Sequence, residues 1–192
     1  EGFTLVLDAT HPYAAEVTAT IRAACGETGL PYLRLRREGG GYAGCDEVPT
    51  AAQAADWLNR HAGRVLLTTG SKELETFTAV EGFAERLFVR VLPLPGVVEK
   101  CAALGFPASR IIAMQGPFTE EFNRALLRQL GIELLVTKDT GDEGGFSQKL
   151  EAARACCARV LVIRRPDEPE GALAPDALWR LLEDRLQQEA TQ

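Results

Sequence analysis

The chain has 192 residues, 46% of them hydrophobic and 25% charged, with 21 Lys and Arg against 27 Asp and Glu for a net charge of −6. Such totals suit a soluble globular protein with a core to bury, in one large domain or two small ones. The acidic balance argues against a nucleic-acid binder, which shows a basic patch or stripe, but not against anionic ligands, since a few local cations and backbone N–H groups override the average. Five cysteines (Cys25, Cys45, Cys101, Cys156, Cys157) make no C-x-x-C pair and no histidine stands at metal-ligand spacing, so neither a disulfide framework nor a metal site is expected. No apolar run approaches the roughly 18–20 residues of a membrane span and no signal peptide is recognisable, so a reducing, cytoplasmic setting is expected.

In chain order, Phe3–Leu7 reads as a strand and Ala14–Glu27 as a helix. Tyr32–Leu35 is a second strand. A helix over Ala51–His61 leads to a strand at Val65–Leu67, then a helix over Lys72–Val80 to a strand at Leu87–Leu92. Helix Gly96–Leu104, strand Ile111–Met114, helix Glu120–Leu130, strand Leu134–Val136, helix Ser147–Ala155 and strand Val160–Ile163 continue the alternation. A last helix, Pro175–Gln188, follows the Pro/Glu-rich stretch Arg165–Pro175. Strands alternating with helices predict an α/β fold with parallel sheets flanked by helices, and nearly continuous apolar runs are what strands covered on both faces show. Pro93-Leu94-Pro95-Gly96 breaks the chain near its middle. A boundary near residues 80–95 divides it into lobes 1–90 and 91–192, the final helix 175–188 packing on either one.

Four of the strands run into short polar loops that precede helices. They are Asp8-Ala9-Thr10-His11-Pro12 with Tyr13 after it, Thr68-Thr69-Gly70-Ser71-Lys72, Gln115-Gly116-Pro117-Phe118-Thr119, and Thr137-Lys138-Asp139-Thr140-Gly141 continuing to Gly144-Gly145. Ligands of open parallel sheets bind outside the carboxyl ends of the strands, where helix N-termini offer unpaired N–H groups to phosphate or carboxylate. Gly144 and Gly145 allow backbone conformations other residues resist, and Lys72, Lys138 and Lys149 could add full positive charge. Each feature has a plainer reading. Thr119 before Glu120 and Glu121 is an N-cap, a glycine pair is often only a turn, a lone lysine is usually solvated, and His61 reads as a surface residue. His11 is as well explained by packing in its turn as by contact with a ligand, and Pro12 suits a first helical turn that needs no N–H. The joint occurrence of four such loops favours a binding cleft. No Ser–His–Asp order, no His-Glu-x-x-His and no P-loop appears, so hydrolysis by nucleophile or metal has no support.

In order, the stretches DATHPYA (8–14), LTTGSKEL (67–74), RVLP (90–93), MQGPFTEEFN (114–123), TKDTGDEGG (137–145) with Lys149 beyond it, and VIRRP (162–166) resemble the precorrin-6A and cobalt-precorrin-6A reductase family of cobalamin biosynthesis. The resemblance implies two Rossmann-like lobes, the N-terminal one incomplete. It also implies hydride transfer from NADPH or NADH to the precorrin-6A ring in an inter-lobe cleft, with a proton taken up separately. The cleft would be lined by Thr10, His11, Pro12, Tyr13, Thr69, Gly70, Ser71, Lys72, Gln115, Gly116, Pro117, Thr137, Lys138, Asp139, Gly144, Gly145 and Lys149. The partner is a small tetrapyrrole bearing acetate and propionate arms, and no single catalytic side chain is singled out, since hydride chemistry belongs to the cofactor.

Two departures from the family pattern stand out: Thr20 where relatives carry Asn, and Arg34-Leu35-Arg36-Arg37 without a following Pro-Trp. A further expectation concerns the front of the chain. Relatives begin with a strand, a Gly-Gly-Thr-type loop, a helix and more sheet, and a βαβ unit takes about 30 residues, so part of the first lobe is expected to be missing here. An open edge beside Phe3–Leu7 would invite self-association. Two other readings stay open at this stage, a uroporphyrinogen-III synthase-like enzyme and a non-catalytic anion-binding module. Because the pyrophosphate turn of a Rossmann-like lobe lies at its first strand, this chain alone is expected to bind nicotinamide cofactor weakly or not at all. Tight binding in a fluorescence titration would refute that.

Overall fold

Both faces of the main sheet are covered, and its strands are apolar on both sides for that reason. Val65 and Leu67, Leu87, Val89 and Val91, Leu134 and Val136, and Leu161 and Ile163 are buried on one face. Leu66, Phe88, Leu135, Val160 and Val162 are buried on the other. The alternation within each strand is the two-residue period of a pleated strand. The structure, a computed structural model, describes residues 2–36, 42–141, 144–166 and 171–189. Arg37, Asp142 and Glu143, quoted above, lie outside the described residues.

The chain forms two compact units, Gly40–Arg164 and Glu1–Gly39 with Arg165–Gln192. The larger holds a parallel sheet of six strands: β3 (Asp46–Val48), β4 (Val65–Thr68), β5 (Leu87–Val91), β6 (Ile111–Ala113), β7 (Leu134–Lys138) and β8 (Arg159–Ile163). Their spatial order is β3-β8-β7-β4-β5-β6. Helices α2 (Ala51–Asn59) and α4 (Pro95–Ala103) contribute to the core that contains Leu67 and Val89, and α5 (Glu120–Leu130) and α6 (Phe146–Ala155) to the core that contains Leu66 and Phe88. In the smaller unit β1 (Val6–Asp8) and β2 (Tyr32–Arg34) pair in parallel across α1 (Ala15–Thr28). Leu35 bridges Leu173 ahead of α7 (Pro175–Glu189).

The α/β class with parallel sheets is the one the alternation predicts, but the division of the chain is different. A boundary at residues 80–95 would cut through the larger sheet, because Val65–Leu67 pair with Leu87–Val89 and Val91 pairs with Ala113. Pro95 opens α4 at its first turn, where its missing N–H costs nothing, so the Pro-rich stretch is a helix start and not a hinge. The last helix belongs to the same unit as β1.

Local differences have local causes. The helix expected over Lys72–Val80 is a 3-10 segment at Leu74–Ala79. Its buried Leu74, Phe77 and Val80 recur every three residues, the period of that helix, and Thr76 and Thr78 are poor α-formers. A short helix, α3 (Phe83–Arg86), follows it unannounced. Strand β3 was not expected either, because three residues with two acids at a sheet edge give no apolar run. Arg159 holds it to β8 through Asp46 at 2.6 and 3.1 Å. The first strand starts at Val6, and Phe3 is 84% exposed.

Helix α6 ends in a left-handed residue. Cys157 has φ 55° and is exposed, while its N–H and that of Ala158 return to the carbonyls of Arg154 and Ala153. That is a Schellman closure, and the left-handed position within it favours glycine. Cys157→Gly should therefore stabilise the larger unit by about 1 kcal/mol, read as a higher urea midpoint at unchanged slope.

Candidate functional site

From β4 the chain steps to β5 and β6 on one side of the sheet, then returns to place β7 against the other side of β4. Strand order therefore reverses between β4 and β7. A crevice opens outside the carboxyl ends of the strands at such a reversal. Four strands deliver residues to this edge: Thr68 and Gly70 at β4, Arg90, Val91 and Leu92 at β5, Met114, Gly116, Pro117 and Phe118 after β6, and Thr140 and Gly144 after β7. Together with Lys149 of α6 they line a cleft of about 330 Å³.

Two cations dominate the cleft. Arg90 lies two residues beyond Phe88, so the pleat turns it to the face that carries α5 and α6. There it donates to Asn123 Oδ1 at 2.7 Å and stacks over the Phe118 ring at 4.5 Å. Asn123 is held in turn, its Nδ2 donating to the carbonyls of Thr119 and Phe118 at 2.8 and 3.3 Å. Burial pulls the Arg90 guanidinium down to about 10, which leaves it charged at neutral pH. Lys149 is 6% exposed, and its Nζ lies 3.5 Å from Thr140 Oγ1. Burial, and secondly the charge of Arg90, pull its ammonium down to about 8, with Asp139 offsetting part of the shift.

In the smaller unit the turn after β1 is built on a buried ion pair. Asp8 and Arg34 face each other in register and meet at 2.8 Å, with side chains 0% and 3% exposed. Arg34 also donates to Thr10 Oγ1 at 2.8 Å, the Thr10 N–H donates to Asp8 Oδ1 at 2.9 Å, and the Tyr32 hydroxyl donates to Asp8 Oδ2 at 2.7 Å. Burial raises the Asp8 carboxyl, but hydrogen bonds from Thr10 and Tyr32 and the charge of Arg34 outweigh it and hold it at about 2. Burial and the Asp8 carboxylate push Tyr32 up to about 12.

Residues 1–183 match the family described as precorrin-6x reductase CbiJ/CobK. The chain belongs to that family. Cobalt-precorrin-6A reductase of Priestia megaterium is 40% identical over 169 residues, 86% of this chain and 66% of the relative. The Salmonella typhimurium protein of the same name is 36% identical over 166 residues, 84% of this chain and 62% of that one. The solved structure of CobK precorrin-6A reductase aligns at a TM-score of 0.72 and 30% identity, over 95% of this chain and 74% of that one. The chain thus spans two thirds or less of the length of the curated relatives first matched.

In this CbiJ/CobK family member, the cleft of the larger unit gathers Gly70, Gly116, Pro117, Gly144 and Lys149 from among the expected residues. Gly70 has φ 79° and open space where a Cβ would stand, whereas a Cβ at Gly144 would collide with the Thr140 hydroxyl. Thr69 lies beside the cleft, and its buried Oγ1 has no hydrogen-bond partner. Lys138 is ion-paired with Glu73, which ties the loop after β7 to the one after β4. Asp139 is fully buried and accepts from the Tyr42 hydroxyl at 2.8 Å and the Gly141 N–H at 3.0 Å, so it braces its loop. Thr137 is fully buried, Gly145 starts α6 at φ 65°, Lys72 and Gln115 are exposed, and Ser71 is partly exposed. Thr10 to Tyr13 belong to the smaller unit. His11 Nδ1 accepts from the Tyr13 N–H at 3.3 Å and its ring stacks on Tyr13, while buried Pro12 lies three residues ahead of α1.

Arg90, Asn123 and Phe118 were missing from the expected set. The signal for Arg90 lay in Leu87–Leu92, where one cation interrupts a run otherwise apolar on both faces. The Asp8 carboxyl, held low in the fold, stabilises fully above about pH 4, and that contribution disappears as pH falls through about 2. Asp8→Asn should cost about 3–5 kcal/mol by stranding the buried Arg34 charge and should flatten the acid limb of stability, both measured by urea denaturation across that range.

Proposed function

We propose that this chain supplies the larger part of the catalytic body of an enzyme that reduces the precorrin-6A or cobalt-precorrin-6A macrocycle to its dihydro product in cobalamin biosynthesis. NADPH or NADH is the proposed donor. A hydride from it and a proton from the surroundings together saturate one double bond of the ring, which balances the reaction. The observation that carries this reading is the family match over residues 1–183, combined with a cleft at the strand-order reversal walled by apolar side chains and two cations, Arg90 and the buried Lys149.

Those walls suit a tetrapyrrole. Val91, Leu92, Met114, Pro117 and Phe118 offer apolar surface to an edge of the ring, and Arg90 and Lys149 oppose the charge of its carboxylate arms. The chain's own part is to place that edge, neutralise its arms and keep water from the apolar wall. The described residues do not fit a dinucleotide cradle as well. The turn after β4 carries the single Gly70 and leads into a 3-10 segment instead of an α-helix, and the missing side chain of Gly144, ahead of α6, serves contact with Thr140.

The test follows absorbance of the reduced nicotinamide with precorrin-6A and with cobalt-precorrin-6A, each with NADH and NADPH raised towards saturation. Oxidation that depends on the presence of a ring is expected for at least one pairing. A ring that no pairing reduces overturns the reading.

A further inference from the structure

Cations withdrawn from water need partners, and the buried Lys149 and the half-buried Arg90 have no anionic one among the described residues. Arg90 spends one N–H on a neutral amide and one face on an aromatic ring. Lys149, 6% exposed, has the Thr140 hydroxyl at 3.5 Å. Asp139, whose charge is felt at Lys149, is itself engaged by Tyr42 and Gly141. Burial without a counter-ion is unfavourable, most of all for Lys149, and both groups open onto the same cleft.

We propose that Arg90 and Lys149 together seat one carboxylate arm of the ligand, with Asn123 as the positioning residue that fixes the guanidinium from behind. The seat rests on the proposed tetrapyrrole reading for the identity of the ligand, but its chemistry is that of a carboxylate on an apolar body. Arg90 offers a planar fork that matches a carboxylate in two bonds, and Lys149 adds a point charge. Burial first and the charge of Arg90 second pull Lys149 down, and a carboxylate seated beside it would raise it again. Phosphate is the weaker candidate. Glycine turns and a helix N-terminus at Gly70, Gly116 and Gly144 would serve either anion, but Phe118, Met114 and Pro117 on the same wall suit the apolar body that carries a carboxylate.

Uroporphyrin, a tetrapyrrole with a carboxylate on every arm, serves as the probe, with succinate and inorganic phosphate as competitors. The expected result is that this chain binds uroporphyrin and that Arg90→Gln and Lys149→Met each weaken binding about tenfold to a hundredfold. Succinate should displace the probe better than phosphate does. Arg90→Lys should recover only part of the loss, because it restores charge without the fork. Should a variant fold poorly, the wild-type chain gives the answer alone. Bound uroporphyrin or succinate should shield Lys149, relative to the exposed Lys72, from an amine-acylating reagent read by mass spectrometry. Uroporphyrin bound equally by wild type and both variants, without shielding of Lys149, overturns the seat and leaves the tetrapyrrole reading standing. Succinate held at Arg90 and Lys149 with no affinity for uroporphyrin does the reverse. Preference for phosphate, or binding of no carboxylate at all, overturns the seat.

Discussion

Everything at the functional edge follows from the reversal of strand order between β4 and β7. In a parallel sheet each strand must be reached by a crossover, and here the crossover from β4 runs to β5 while β7, on the other side of β4, is reached from β6, which leaves a crevice at the reversal. The loops after β4 and β7 consequently stand apart at the carboxyl edge, joined by the ion pair of Glu73 with Lys138. That pair holds the two strand ends together, and the buried Asp139 braces the second loop through Tyr42 and Gly141. Side chains from β5 and from the segment after β6 then close the wall.

The same sheet explains why a cation can sit where Arg90 does. A strand buried on both faces has no solvent side to which a charged residue can turn, so a charge in its interior would be expelled or paired. At the carboxyl end of β5 the pleat directs Arg90 to the side of α5 and α6, and Asn123 and Phe118 there supply a neutral bond and a ring face. The guanidinium tolerates this because it is more weakly hydrated than an ammonium and stacks on aromatic rings. A lysine at position 90 would have neither advantage.

The alternation of apolar runs with helical patterns was enough to read the α/β class, and the order of the loop motifs was enough to read the family. What stayed hidden depended on pairing between distant segments. Strand β3 is visible only through its ladder with β8, more than a hundred residues away. The unit boundary is visible only through β4 and β5 sharing a sheet, which no reading of Pro93 to Gly96 could supply. Among site residues, the loop glycines and Lys149 were legible because loops advertise themselves by composition. Arg90 was not, because it stands in a strand, although a lone charge in a doubly buried strand was a signal available in Leu87–Leu92. Asp139 was legible as polar but not as a brace, since that role needs Tyr42 beside it.

Arg34, buried, and Arg90, half-buried, have their charges answered in different ways. Arg34 meets Asp8 at 2.8 Å and Thr10 at the same distance, and the carboxylate is further satisfied by Tyr32 and by a backbone N–H. A group so fully answered has no remaining reason to attract an anion, and its removal would be felt as lost stability. Arg90 is held just as firmly, yet by partners that leave its charge uncancelled, and it stands near a second cation in the same condition. The charge of Arg90 adds to burial in lowering Lys149, so the two cations repel each other across the cleft. A net charge of −6 does not oppose such a local concentration of positive charge. The average charge acts at long range and is screened by salt, whereas two desolvated cations act at contact, where the dielectric is low and the interaction strongest.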